Sequence, residues 1–255
     1  MDRPYLDLTD KVAVITGGSR GIGRAIATAY AEHGADVVIA SRKLDNCEAV
    51  AAEIAEKTGR RTLAVGTHVG KWDECDRLAD RVLEEFGRCD ILVNNAGMSP
   101  LYPDVAAITE AYYDKVSGVN LKGPFRLAVR FGTHMSDHDG GVILNVSTVG
   151  SIRPSRAEVV YAMAKSGLNA MTVALADAFG PKVRVNCILP GAILTDISDA
   201  WSEETKAAAA KTPMGRAGYA EDFPGAALFF ASEASAWITG TCLRVDGGMA
   251  RQLGL

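Results

Sequence analysis

Seven short apolar, β-branched runs punctuate this chain, and longer helical patterns fill the intervals between them. The runs cover 11–16, 36–40, 61–67, 90–94, 141–147, 182–189 and 241–245. Helical periodicity occupies 21–33, 44–58, 71–86, 108–136 and 159–179, then a pair around 203–210 and 220–231. Some runs, such as Val12-Ala13-Val14-Ile15 and Ile91-Leu92-Val93, carry no polar residue. Unbroken apolarity requires a strand covered on both faces, the condition of a parallel sheet sandwiched between helices. Strand–helix alternation then predicts an α/β doubly wound fold with right-handed crossovers. At 255 residues and 48% hydrophobic content, the chain can bury one substantial core, so 1–255 reads as a single domain.

Several function classes drop out early. The net charge is −4 and the basic residues are scattered, which leaves no footprint for nucleic acid. No apolar run is read as long enough to cross a bilayer, and Met1-Asp2-Arg3-Pro4 does not open a signal peptide. The five cysteines are dispersed without C-x-x-C spacing, so neither a metal site nor a disulfide framework is expected, and a reducing cytoplasm fits.

In a doubly wound sheet, ligands bind beyond the carboxyl ends of the strands, near the switch in strand order. Four polar or glycine-rich junctions fall there: 16–23 after the first run, Asn94-Asn95-Ala96-Gly97 after the fourth, 145–150 after the fifth and Pro190-Gly191 after the sixth. The first, Thr16-Gly17-Gly18-Ser19-Arg20-Gly21-Ile22-Gly23, leads straight into a helical pattern. A helix start offers unpaired N–H groups and partial positive charge, and glycine lets a phosphate approach the backbone. The stretch therefore proposes a dinucleotide site, although a glycine turn alone also serves plain strand-to-helix connections.

Tyr161 and Lys165 stand four apart in a predicted helix and project to one side. A tyrosine with a pKa of about 10 is a poor proton carrier at neutrality. A neighbouring ammonium favours the phenolate and brings that value toward working pH. The plain alternative is chance spacing on a helix. Thr148, at the end of the fifth run, offers a hydroxyl to a substrate carbonyl while Tyr161 delivers the proton. Asn120 can hold a water beside Lys165 and open a proton path to solvent, or it can be a satisfied amide at a helix kink.

Taken together, Thr16-Gly17-xxx-Gly21-x-Gly23, Asn94-Asn95-Ala96-Gly97, Asn120, the hydroxyls at 147–148, Tyr161-xxx-Lys165, Pro190-Gly191-xxx-Thr195 and Asp246-Gly247-Gly248 resemble the short-chain dehydrogenase/reductase family over nearly the whole chain. The resemblance implies a Rossmann-type seven-stranded sheet with helices on both faces, a nicotinamide cofactor and hydride transfer with a carbonyl or alcohol. It implies a tetrad, here Asn120, Thr148, Tyr161 and Lys165, with Ser147 in reserve for Thr148. It further gives Lys165 a contact to the nicotinamide ribose, and Thr195 and the backbone near Ile193 a hold on the carboxamide. Gly17, Ser19, Arg20, Gly21, Ile22, Gly23, Asn95, Ala96, Gly97, Pro190 and Gly191 fall to the cofactor as well. The family usually has serine where Thr148 stands. His68 replaces an aspartate that often meets the adenine amino group, and either its imidazole or the backbone of Val69 takes that contact.

The second run ends Val38-Ile39-Ala40-Ser41-Arg42 without the carboxylate that commonly binds both ribose hydroxyls in NAD sites. Arg42, Ser41 and Arg20 suit a 2′-phosphate, so NADP(H) is favoured, with NAD(H) possible. The expected activity is NADP(H)-dependent reduction of a small-molecule carbonyl or oxidation of a secondary alcohol. The alternatives are an NAD-dependent secondary-alcohol or sugar dehydrogenase of the same fold, and a non-catalytic NADP(H) sensor. A substrate lid is expected near 192–215, containing Trp201. Arg153 and Arg156 either suit an anionic substrate, as in the family's β-ketoacyl carrier-protein reductases, or are solvated surface. A homo-oligomer, tetramer or dimer, is expected to form through 108–136, 159–179 and 246–255.

Overall fold

The structure, a computed structural model, describes residues 5–194, 203–204, 207 and 210–250. Seven parallel strands form one sheet: β1 (Val12–Thr16), β2 (Asp36–Ser41), β3 (Thr62–Gly66), β4 (Ile91–Asn94), β5 (Gly141–Val146), β6 (Val183–Pro190) and, at the far edge, β9 (Cys242–Val245). Their spatial order is β3-β2-β1-β4-β5-β6-β9. The chain runs outward from β1 to β3 and then returns to lay β4 against the other side of β1. That reversal opens a crevice beyond the carboxyl ends of β1 and β4.

Helices cover both faces. On one side lie α1 (Gly21–Glu32), α2 (Leu44–Thr58) and α7 (Pro224–Ala231). On the other lie α3 (Trp72–Phe86), α5 (Gly123–Asp137) and α6 (Val159–Phe179). Alternate strand residues serve opposite layers, Ala13 and Ile15 facing the first and Val12 and Val14 the second. All five residues of β1 are buried, which is why its sequence shows no alternation. Each large aliphatic side chain so placed stabilises the fold by about 1.5–3 kcal/mol. The Tyr30 hydroxyl donates to the Ala227 carbonyl at 3.0 Å and ties α1 to α7.

The strands and helices match the sequence reading to within a residue or two, with three differences. The predicted helix over 108–136 is interrupted. It consists of α4 (Glu110–Ser117), a π-helical turn at Gly118–Lys122 and α5, and Asn120 sits in the turn. A two-stranded parallel pair, β7 (Ile193–Leu194) with β8 (Gly218–Tyr219), was not visible in the sequence. Finally, α6 has the length and mean hydropathy, 21 residues and 1.2, of a membrane-crossing helix, contrary to the expectation that no apolar run reaches that length. In this fold one face packs on the sheet and carries Lys165 into the interior, while Met163 and Val173 on the other face stay exposed. Half of the expected lid, including Trp201, and half of the predicted helix at 203–210 lie outside the described residues, as does Thr195.

Candidate active site

The crevice is assembled first by Thr16. Its hydroxyl donates to the Val93 carbonyl at 3.1 Å and accepts from the N–H groups of Asn95 and Ala96 at 3.0 and 3.1 Å. The Asn95 amide returns bonds to the carbonyls of Thr16 and Gly17 at 2.9 and 3.2 Å. Sequence reasoning quoted Thr16 as part of a motif and missed this role. The close approach demands glycine: a Cβ on Gly17, whose φ is +64°, would fall 2.8 Å from Asn95 Nδ2. A Cβ on Gly23 would collide with the same amide and with the Gly17 carbonyl. Arg20 is the N-cap of α1 in extended conformation and makes no side-chain cap, so the first-turn N–H groups, through Gly21, Ile22 and Gly23, face the crevice without one.

At the end of β2, the hydroxyls of Ser19 and Ser41 are 2.9 Å apart, and Ser41 also meets the Cys47 thiol at 3.1 Å. Arg20 and Arg42 flank this pair. Both are exposed, and neither has an ion-pair partner among the described residues. His68 lies beyond β3, and its Nδ1 accepts from the Gly70 N–H at 3.2 Å. A neutral imidazole so engaged carries its proton on Nε2 and presents a donor outward. It does not offer the free acceptor expected for an adenine amino group. Val69 is buried, and its carbonyl accepts from the Cys75 thiol.

The predicted tetrad converges at the ends of β4, β5 and α6, with one correction. The Asn120 side chain is fully buried and its two N–H donors are spent on the carbonyls of Met98 and Val116 at 2.8 and 2.9 Å. Its oxygen accepts from the Met98 N–H at 3.2 Å. The amide therefore clamps the loop after β4 to the π-helical turn, the satisfied amide at a helix kink that the sequence offered as the alternative to a water-holding side chain. The correction concerns the phenol. Burial, then the negative charge of Glu158, push Tyr161 up to about 12, and only its hydrogen bond with Thr148 pulls the other way. Lys165 does not offset this: its Nζ donates to the Val146 carbonyl at 2.7 Å and lies 5.8 Å from the ring centroid. Burial lowers the ammonium to about 8, with the Cys187 thiol opposing that shift.

Thr148 and Ser147 separate cleanly. The Ser147 hydroxyl is buried and donates to the Lys165 carbonyl at 3.2 Å, away from the crevice. The Thr148 hydroxyl accepts from the Gly150 N–H at 3.1 Å and is the group that lowers the pKa of the Tyr161 phenol. On the far wall, Pro190 ends β6, the Gly191 N–H donates to the Val245 carbonyl at 3.2 Å, and Ile193 enters β7. A Cβ on Gly191 would fall 2.9 Å from the Cα of Asp246, which explains why glycine follows Pro190. The sequence also gave no sign of Tyr102, whose hydroxyl donates to the Arg156 carbonyl at 2.7 Å and accepts from the Val159 N–H at 2.8 Å, fastening the start of α6.

Residues 17–250 match a family model described as Enoyl-(Acyl carrier protein) reductase. A 3-oxoacyl-(acyl-carrier-protein) reductase of Chlamydia muridarum is 37% identical over 245 residues, which is 95% of this chain and 98% of the relative. The chain belongs to the short-chain dehydrogenase/reductase family. Within that family, an L-rhamnose 1-dehydrogenase (NAD(P)(+)) of Azotobacter vinelandii is 35% identical over 250 residues, covering 95% of this chain and 97% of its own. L-sorbose reductase from Gluconobacter frateurii, solved with NADPH and L-sorbose, aligns with a TM-score of 0.91 at 30% identity over 98% of this chain and 100% of that one. The protein is thus an oxidoreductase of the short-chain dehydrogenase/reductase family. Enzymes of this family act on small molecules with NAD(P)(H).

Proposed function

We propose that the protein uses NADP(H) to interconvert a small-molecule carbonyl and the corresponding secondary alcohol. The observation that carries this reading is the fully buried Lys165, whose Nζ lies 5.8 Å from the centroid of the Tyr161 ring one turn earlier on α6. The bound dinucleotide supplies or accepts the hydride. The crevice fits such a group, because the uncapped first turn of α1 opens there beside Gly17 and Gly23, where a Cβ would collide with the Asn95 amide.

The chain's own residues then divide the work. Gly17, Ser19, Gly21, Ile22 and Gly23 offer backbone and hydroxyl donors to a pyrophosphate at the start of α1. Asn95, Ala96, Gly97, Lys165, Pro190, Gly191 and Ile193 line the path to the nicotinamide end, and His68 and Val69 flank the adenine end. Thr148 orients the substrate oxygen, and Tyr161 gives it a proton on reduction or removes one on oxidation. Asn120 positions the loop after β4 through its clamp on Met98.

The preference for the phosphorylated coenzyme is supported by Arg20 and Arg42, two guanidinium groups without ion-pair partners among the described residues, on either side of Ser19 and Ser41. Paired N–H donors match phosphate oxygens, and no carboxylate ends β2 to compete for them. The L-sorbose reductase structure holds NADPH, which agrees with this reading. The protein acts in the cytoplasm as a homo-oligomer, its α5 and α6 exposing Phe125, Met163 and Val173 at 41, 54 and 55%. The test is direct titration of NADPH and NADH, followed by coenzyme oxidation against a carbonyl panel. Tight NADPH binding with turnover supports the proposal. Equal affinity for both coenzymes overturns the NADP(H) assignment, and binding without any turnover returns the sensor reading.

A further inference from the structure

Glu158 stands at the start of α6 yet does not cap it, for its side chain makes no bond to the first-turn N–H groups. Its carboxylate is half-buried, and burial alone raises it above the ordinary carboxylate range. Arg153 and Arg156 precede it in the same loop, but both are exposed, and no ion pair joins either one to it among the described residues. The carboxylate makes no hydrogen bond to another described side chain or backbone group and is open on its exposed side, so its acceptors are available to a ligand. It packs against the loop that follows Thr148. A Cβ at Gly150 would fall 2.5 Å from Glu158 Oε1 and 3.0 Å from its Cδ, so only a glycine there leaves room for it. Gly150 follows Thr148 in the same loop, its N–H donating to the Thr148 hydroxyl, and Glu158 stands at the N-cap of α6, three residues before Tyr161, whose pKa its charge raises.

We propose that Glu158 determines substrate specificity, its carboxylate accepting hydrogen bonds from the hydroxyl groups of a neutral, polyhydroxylated carbonyl substrate and repelling anionic ones. This deepens the hydride-transfer reading and rests on it. A carboxylate accepts from two or more hydroxyls at once, which a polyol supplies and a simple ketone does not. It also places a fixed negative charge beside the reacting oxygen, where a substrate carboxylate or phosphate meets repulsion in a partly desolvated setting. Arg153 and Arg156, out in solvent, do not offset it.

The test compares L-sorbose with 5-keto-D-gluconate, a pair that differs by a carboxylate in place of one hydroxymethyl group, within a panel that also holds unhydroxylated ketones. The wild-type protein and Glu158→Gln are assayed with NADPH. Gln keeps the shape and removes the charge, and the carboxylate has no protein partner to lose, so unchanged Tm and NADPH affinity serve as controls. The expected result is that wild type prefers the neutral polyol, and that Glu158→Gln shifts the ratio of kcat/KM toward the anionic partner by about tenfold, the factor about 1.4 kcal/mol produces. The shift appears mainly in KM. A wild-type preference for the anion or for unhydroxylated ketones overturns the inference, as does an unchanged ratio in Glu158→Gln. If no carbonyl in any class is reduced, the hydride-transfer reading itself fails, an outcome distinct from those.

Discussion

Replacing Lys165 by methionine keeps an unbranched side chain in the core and removes the buried ammonium. Burial holds that lysine near 8 in the folded protein against an ordinary 10.5. A base whose pKa falls on folding burdens the folded state in its protonated form. The penalty is therefore fully present below about pH 8 and fades as pH climbs toward 10.5, where the unfolded lysine also loses its proton. A depression of this size corresponds to about 3 kcal/mol. Against it stands the bond from Nζ to the Val146 carbonyl, 2.7 Å long, whose loss leaves a buried acceptor short. That loss costs about 1 kcal/mol. In the absence of coenzyme, Lys165→Met should be about 2 kcal/mol more stable than wild type at pH 7, which for a chain of this size raises Tm by about 4–8 °C. At pH 10.5 the advantage should vanish and reverse to about 1 kcal/mol of loss. Urea unfolding followed by circular dichroism at the two pH values measures both differences. The reasoning is refuted if the variant is less stable at pH 7, or if the difference does not change with pH. Turnover should be lost at either pH, since stability and activity ask opposite things of this residue.

Further outcomes concern the hydroxyls, the arginines and the glycine cradle. Thr148→Val should cut turnover by ~10²-fold or more while Ser147→Ala costs little turnover, because only Thr148 meets Tyr161; steady-state kinetics on the two variants decide it. Arg42→Ala should raise the Kd for NADPH by ~10-fold or more, a loss of about 1.5–3 kcal/mol for a charged hydrogen bond, and leave NADH nearly unchanged; equal losses would remove the phosphate assignment. Gly97→Ala should weaken coenzyme binding with little change in Tm, since the added methyl enters the cradle between Asn120 and Lys165; calorimetric titration checks it.

The sheet was legible in the sequence because strands buried on both faces read as apolar nearly throughout, as Val12–Ile15 and Ile91–Val93 do. Helix ends were legible where glycine takes a left-handed conformation, as at Gly59 after α2 and Gly87 after α3. The β7–β8 pair was not, because two residues per strand carry no period. The site was legible as a set of residues and less so as a set of contacts. Spacing put Tyr161 and Lys165 on one face of a helix, but it cannot say that the ammonium turns to the Val146 carbonyl. Asn120 was placed correctly near Lys165, while the π-helical turn that points its amide at Met98 has no sequence signature. His68 shows the same limit, its acceptor taken by the Gly70 N–H two residues away. Glu158 went unnoticed because an acid at a helix start reads as a cap, and only the structure shows that it caps nothing.

The central claim is that Tyr161 carries the proton in a nicotinamide-dependent carbonyl reduction. It is tested most directly by Tyr161→Phe, with NADPH affinity measured by titration and NADPH oxidation followed on the best substrate of the carbonyl panel. Loss of the phenolic oxygen should leave NADPH binding within a few-fold of wild type and lower turnover by ~10²–10⁴-fold. Turnover close to wild type with NADPH still bound would contradict the account.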